Sequence, residues 1–148
     1  MKILVTESQY NRILNEEEEE KIIRIPSLDF FHEDPMDAWD ILQKGLKAHG
    51  NPPYAIEGDL DWRNTSIDYL GNLISVGGDL DLGHTSIKSL GNLQSVGGSL
   101  VLFNTRIQSL GNLKSVGNDL NLKYTPLSKK YTEKQIRRMV DVGGDIRL

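Results

Sequence analysis

The chain contains no cysteine in its 148 residues, and this absence excludes a disulfide framework, a thiolate metal site and a cysteine nucleophile. Its three histidines, His32, His49 and His84, do not have the H-x-x-x-H or H-E-x-x-H spacing of a metal site. The Gly-Gly steps lack the Gly-Lys-Ser/Thr sequence of a phosphate-binding loop. The sequence therefore predicts no catalytic centre, no metal and no cofactor.

Long apolar runs are also missing. No stretch approaches the ~20 apolar residues that a membrane-spanning helix requires, so no membrane association is predicted. Residues 1–5 offer one lysine and a three-residue apolar run, which is too short for a secretory signal. Together with the lack of cysteine, these features predict a cytoplasmic protein with one globular domain.

The net charge of −4 is distributed unevenly along the chain. Residues 1–57 carry 6 Lys and Arg against 12 Asp and Glu, whereas residues 123–148 carry 7 against 3. A basic patch of this size without an accompanying motif is a weak nucleic-acid signal and is typical of a solvated helix face. We therefore do not expect nucleic acid as a partner.

Internal repetition is the dominant feature of the sequence. Three blocks of twenty residues align without a gap from Gly58, reading GDLDWRNTSIDYLGNLISVG, GDLDLGHTSIKSLGNLQSVG and GSLVLFNTRIQSLGNLKSVG. A fourth block begins at Asn118 with NDLNLKYTPL, and the pattern breaks over residues 128–142. It returns at Gly143 as GGDIRL, which predicts a fifth, closing strand.

Each repeat carries six apolar positions that predict its interior. Leu80 and Leu82 have the period-two spacing that puts both side chains on the inner face of a short strand. Ile87, Leu90, Leu93 and Val96 supply the rest. Six apolar side chains cannot offset the entropy of ordering twenty residues, so one repeat is stable only against its neighbours.

The small and polar positions of each repeat have predicted structural roles. The glycines fit tight corners, the asparagine amides satisfy backbone groups at those corners, and the threonine hydroxyls stack from repeat to repeat. These positions are Gly71, Gly91 and Gly111; Gly77, Gly97 and Gly117; Asn72, Asn92 and Asn112; and Thr65, Thr85, Thr105 and Thr125.

The pattern L-x-L-x-x-T-x-I, which residues 80–87 spell as LDLGHTSI, resembles the core of leucine-rich repeats, with Thr where that family more often has Asn or Cys. It is similar in particular to short repeats of bacterial and bacteriophage proteins. The resemblance covers residues 56–127 and 143–148 and implies an α/β solenoid, an arc with a parallel β-sheet on its concave side and short irregular segments on its convex side. About four to five coils with short helical caps would form a shallow arc.

Four regions follow from these signals. Residues 1–33 form an N-terminal segment, partly helical or flexible, with a capping box at Thr6 and a solvated run of glutamates from Glu16 to Glu20. Residues 34–57 form a helical cap, with Asp34 as N-cap and an apolar face at Met36, Trp39, Leu42 and Leu46. Residues 58–127 are the repeats. Residues 128–148 hold a short helix, which begins at the capping box of Thr132 ahead of Ile136, Met139 and Val140, and then the closing strand.

Functional residues are expected among the side chains that alternate with the buried leucines, on the concave face. Neighbouring strands lie ~4.7–4.9 Å apart, so aspartates at equivalent positions form columns whose repulsion needs compensation, for which a basic partner is one source. The alternative is that these aspartates only keep the sheet soluble. The predicted partner-binding residues are Asp59, Asp61, Arg63, Asp79, Asp81, His84, Val101, Phe103, Asn121 and Tyr124.

The sequence thus predicts a protein-binding leucine-rich-repeat module that is not an enzyme and whose partner is a protein with a basic surface. If the resemblance to bacteriophage repeats holds, binding or inhibiting a host protein is a reasonable role. The alternative is a structural subunit of a virion or larger complex, a monomer or a homo-oligomer through its edges or caps. A carboxylate-based hydrolase or a calcium-binding protein is less favoured, because the face is open and the repeat does not match calcium-binding β-rolls.

Overall fold

The computed structural model describes residues 6–9, 11, 22–28 and 34–148. The predicted run of glutamates at 16–20 lies outside these residues, and so do Tyr10, Ile13 and Leu14, which follow the capping box and were expected on one face of a helix. The capping box at Thr6 is present, since the N–H of Thr6 donates to Gln9 Oε1 (2.9 Å) and the N–H of Gln9 donates to Thr6 Oγ1 (3.2 Å).

The described residues form an α/β repeat-like fold with two parallel sheets and a few helices. The strands are β1 Ile23–Ile25, β2 Tyr54–Ile56, β3 Leu60–Asp61, β4 Leu73–Val76, β5 Leu80–Asp81, β6 Ser95–Val96, β7 Leu100–Val101, β8 Ser115–Val116, β9 Leu120–Asn121, β10 Asp141–Val142 and β11 Ile146–Arg147. One sheet has six strands in the order β1-β2-β4-β6-β8-β10, and the other has five in the order β11-β9-β7-β5-β3. None of the helices in this part of the chain has the length and apolar character to cross a membrane.

The five-stranded sheet is the predicted one, and the six-stranded sheet was not predicted. Equivalent residues pair across the first, as in Leu60 with Leu80 and Leu80 with Leu100. The second forms where irregular segments were expected, as in the pairing of Val76 with Val96. Its strands are too short for a periodic signal, but stacking at a constant period brings their backbones within hydrogen-bonding distance.

The core is continuous through the repeats. All six predicted apolar positions are buried in each of the three complete repeats, from Leu60 and Trp62 to Leu113 and Val116. The prediction of the interior is confirmed. Because equivalent leucines stack in register, each repeat covers the apolar side chains of the next.

The glycines of a repeat have two different roles. Gly91 has a φ of +56°, a left-handed conformation that glycine adopts without steric cost. Gly97 is needed for space instead, because a Cβ there would overlap the carbonyl oxygen of Gly77 in the preceding repeat. The predicted corner positions are therefore confirmed.

The threonine side chains bind backbone groups and the asparagine side chains link the repeats, which is the reverse of the prediction. Each threonine hydroxyl donates to the carbonyl three residues earlier in its own repeat, as Thr85 does to Leu82 (2.7 Å), so the predicted stacking from repeat to repeat is wrong. The asparagine amides make that link, since Asn92 Nδ2 donates to Asn72 Oδ1 (2.9 Å). Asn72 alone of this column donates to a backbone carbonyl, that of Asn51 (3.1 Å).

Helix α1, Pro35–Ala48, packs against the first repeat. It begins as predicted at Asp34, whose Oδ1 accepts a hydrogen bond from the N–H of Met36 (2.8 Å). Trp39 is 2% exposed, and its ring meets that of Trp62 edge to face at 4.6 Å. These contacts bury the end of the repeat core that would otherwise face water.

A buried tyrosine joins α1 to the repeats. The hydroxyl of Tyr54 donates to the carbonyl of Leu70 (2.7 Å) and accepts from Gln43 Nε2 (3.2 Å). Burial raises the pKa of Tyr54 above its usual range, and the Gln43 hydrogen bond offsets this in part. The phenol therefore stays neutral and keeps its donor.

Two helices interrupt the fourth repeat. Helix α2, Pro126–Lys130, was not predicted; Thr125 is its N-cap, because its Oγ1 accepts from the N–H of Ser128 (3.2 Å). Helix α3, Glu133–Met139, begins at the predicted capping box of Thr132. Ile136 and Val140 are buried, whereas Met139 is 47% exposed. The predicted closing strand is β11, which pairs with β9.

Candidate functional site

The outer face of the five-stranded sheet is the candidate site. We use this name for the side chains of residues 59–64, 79–84, 99–104 and 119–124 that do not point into the core. Among the predicted site residues, Asp59, Asp61, Arg63, Asp79, His84 and Tyr124 are exposed, whereas Asp81, Val101, Phe103 and Asn121 are partly buried.

The first column of aspartates is hydrogen-bonded within the protein. Asp59 Oδ1 accepts from the N–H of Asp79 (2.8 Å), and Asp79 Oδ1 accepts from the N–H of Ser99 (2.7 Å). Asp119 repeats the contact with the N–H of Asp145 (2.9 Å). Each carboxylate thus satisfies a peptide N–H of the next repeat, and a basic partner is not needed to explain the column.

The second column is compensated by turns and by one arginine. Asp81 Oδ1 accepts from the N–H of Gly83 (2.9 Å), the hydrogen bond of an Asx-turn. The Arg63 guanidinium lies 2.8 Å from Asp61 Oδ2 and 3.9 Å from Asp81 Oδ2. These are surface ion pairs, which contribute little to stability. This end of the face nevertheless has four aspartates, at 59, 61, 79 and 81, and Arg63 pairs with only two of them.

Substitution of Asp79 separates the effect of its charge from that of its hydrogen bond. Asp79→Asn keeps an oxygen for the N–H of Ser99, and we expect less than about 0.5 kcal/mol change in the free energy of unfolding. Asp79→Leu removes the acceptor and is expected to cost about 1 kcal/mol. Urea denaturation measures both values, and equal losses in the two variants would contradict the structural role assigned to the carboxylate.

In each repeat, the residue three positions after the strand of the five-stranded sheet has a left-handed backbone, a feature that was not predicted from the sequence. Asn64 and Asn104 have φ angles of 59° and 53°, and asparagine tolerates this conformation well. His84 and Tyr124 adopt it too, with φ of 59° and 60°. The sequence did contain one indication of this conformation, because asparagine occupies the position in the first and third repeats. Of these four residues, Tyr124 is the least suited to a left-handed backbone, since asparagine and histidine are enriched there and tyrosine is not.

Three aromatic rings from successive repeats form a row on the outer face. The ring of Phe103 lies 5.2 Å from that of His84 and 5.2 Å from that of Tyr124, both edge to face. The Asn104 amide donates to Nδ1 of His84 (3.0 Å). Tyr124 is 69% exposed. The fold thus holds rigid rings at the surface, the kind of group that anchors protein interfaces.

The face is shallow. A groove of about 250 Å³ lies on this face and is lined by Asp59, Asp61, Asp79, Asp81 and neighbouring residues. Within residues 6–9, 11, 22–28 and 34–148, no three His, Asp or Glu side chains are placed to hold a metal ion. The arrangement can present carboxylates and rings to a surface that covers it.

Comparison of the chain with protein-family models, with curated proteins and with solved structures yielded no match.

Proposed function

We propose that this protein is a leucine-rich-repeat solenoid that binds a partner protein through the outer face, which is the concave side of such a solenoid. The repeat period, the in-register leucines and the parallel strands support the solenoid. The row of His84, Phe103 and Tyr124 is the observation that carries the binding function. An exposed tyrosine on strained backbone, next to two further rings, is costly for a surface that contacts only water.

The charge of the face suggests the chemistry of the partner. The β3 end has an excess of negative charge, because four aspartates lie there with one arginine, Arg63. The aspartates are Asp59, Asp61, Asp79 and Asp81. Toward the other end of the sheet, the aromatic row reaches Tyr124 after β9, and the neighbouring Lys123 is exposed. A protein surface with lysine or arginine side chains opposite the aspartates and an apolar patch opposite the rings would complement both ends.

A capture experiment tests this function. The wild-type chain and a Phe103→Ala, Tyr124→Asn double variant are immobilised, and a lysate of the organism that encodes the protein is passed over both. We expect the wild type to retain a protein that the double variant releases, because truncating central aromatic residues removes most of the binding energy of an interface. The matched control is Arg106→Ala, Gln108→Ala, two exposed residues away from the outer face.

The control variant decides how the result is interpreted. Retention by the wild type and the control but not by the double variant supports the outer face. Equal retention by all three would place binding elsewhere, and retention of the chain's own copies would favour the assembly role.

Tyr124 offers an independent test, because binding and stability should change in opposite directions. A non-glycine residue in left-handed backbone costs roughly 1–2 kcal/mol, and asparagine relieves part of this. Tyr124→Asn is therefore expected to raise the free energy of unfolding by about 1 kcal/mol while weakening capture of the partner. Thermal denaturation measures the first effect.

Tyr69→Asn is the matched control for this prediction. Tyr69 is 53% exposed and its ring contacts Trp39, as the ring of Tyr124 contacts Phe103, but the backbone of Tyr69 is not left-handed. Its replacement should not stabilise the protein. A loss of stability in Tyr124→Asn would show that its ring is kept for packing and would remove the argument for binding.

A further inference from the structure

The corner between the two sheets contains two regular columns of backbone hydrogen bonds. In the first column, a glycine N–H donates back to a carbonyl of the preceding repeat, as Gly97 does to Val76 (2.8 Å). In the second column, the next residue does the same, as Gly98 does to Gly78 (2.9 Å). Both contacts recur at every junction up to the last, where Gly143 donates to Val116 (2.9 Å) and Gly144 to Asn118 (2.9 Å).

At the C-terminal end of the six-stranded sheet, a side chain replaces these donors. The carbonyls of Val142 and Gly144 occupy the positions that would accept the two N–H groups of one further repeat. Arg137 Nη1 donates to Val142 (3.0 Å), and Arg137 Nη2 donates to Gly144 (2.8 Å). One guanidinium thus reproduces the pair of peptide donors that every other junction uses.

The position of the guanidinium is fixed by helix α3. Arg137 lies on this helix, and its Nε donates to Glu133 Oε1 one turn earlier (3.1 Å). All three of its nitrogens therefore have acceptors. The planar fork of arginine can serve two acceptors at once, whereas the single ammonium group of lysine cannot reproduce that geometry.

We infer that Arg137 closes the β10 edge of the six-stranded sheet to strand addition, so that neither a second copy of this chain nor an extended partner segment can pair there. An open sheet edge with unpaired carbonyls is a template for another strand. The guanidinium occupies those carbonyls at the corner where the regular pattern would continue. This role does not depend on the proposed function, and it separates recognition by the outer face from association at this edge.

The test compares Arg137→Ala with the wild type by sedimentation velocity over a wide range of protein concentration. Arg138→Ala is the matched control, because Arg138 is the exposed neighbour on the same helix and carries the same charge. We expect the average mass of Arg137→Ala to rise with concentration beyond that of the wild type, while Arg138→Ala follows the wild type. Equal mass for all three folded proteins would overturn the inference.

A second variant covers the case in which Arg137→Ala does not fold. Arg137→Lys keeps the charge and the aliphatic stem but offers one nitrogen to two carbonyls. We expect the carbonyl ¹³C resonances of Val142 and Gly144 to shift, that of Val116 to stay in place, and the mass to rise with concentration as in the alanine variant. If the carbonyl resonances shifted but the mass did not rise, the hydrogen bonds of Arg137 would not be what prevents strand addition at the β10 edge. That result would also overturn the inference.

Discussion

Gly97→Ala is expected to lower the free energy of unfolding by about 3 kcal/mol or more, at the upper end of the cost of overpacking a rigid site. The added Cβ would overlap the carbonyl oxygen of Gly77, and that backbone cannot withdraw because the N–H of Gly77 is bonded to Ile56 (2.8 Å). The two repeats must therefore separate, which weakens the hydrogen bond from Gly97 to Val76. Denaturation followed by circular dichroism measures the loss.

Gly91→Ala is the matched control, because its glycine is needed for conformation and not for space. A Cβ on Gly91 meets no atom within 4 Å, but φ is +56°. The expected cost is the roughly 1–2 kcal/mol of left-handed backbone. If Gly97→Ala were as stable as Gly91→Ala, or more stable, the repeats could not be stacked as closely as described.

Trp39→Ala is expected to lower the free energy of unfolding by about 3–5 kcal/mol, the usual cost of removing a buried tryptophan. Trp39 fills the space between helix α1 and the first repeat, where its ring contacts Trp62 at 4.6 Å and Tyr69 at 5.7 Å. Its loss leaves a cavity over the end of the core. Urea denaturation followed by the fluorescence of the remaining Trp62 measures the change.

Ile41→Ala controls for the helix itself. Ile41 is on the same helix and 56% exposed, so its truncation should change the free energy of unfolding by less than about 0.5 kcal/mol. If Trp39→Ala were as mild as Ile41→Ala, helix α1 would not belong to the same cooperative unit as the repeats.

These two predictions bear on function because they concern the rigidity of the outer face. Hydrogen bonds between repeats hold the left-handed turns at His84 and Tyr124: the N–H of His84 donates to the carbonyl of Phe103 (2.9 Å), and the carbonyl of Lys123, next to Tyr124, accepts from the N–H of Asn104 (2.9 Å). A variant that loosens the stacking of repeats should therefore also loosen the aromatic row. A preorganised row loses less entropy when a partner binds than a flexible one would.

The sequence by itself determined the features that depend on periodicity or on neighbours along the chain. A constant period of twenty residues identified the interior, because a buried position must be apolar in every repeat that covers another. The helix starts at Asp34 and Thr132 were predictable because an N-cap contacts a peptide N–H only two or three residues away. The same periodicity identified the candidate residues of the outer face.

Only the tertiary structure decided which partners these residues take. The six-stranded sheet, the carboxylate of Asp79 on the N–H of Ser99, the row of His84, Phe103 and Tyr124, and the fork of Arg137 on two carbonyls were not predicted from the sequence. The first three are contacts between residues of different repeats, and Arg137 acts where the stacking of repeats ends. Their geometry depends on how the repeats stack, and a polar or aromatic side chain on a surface can meet many partners with similar free energy.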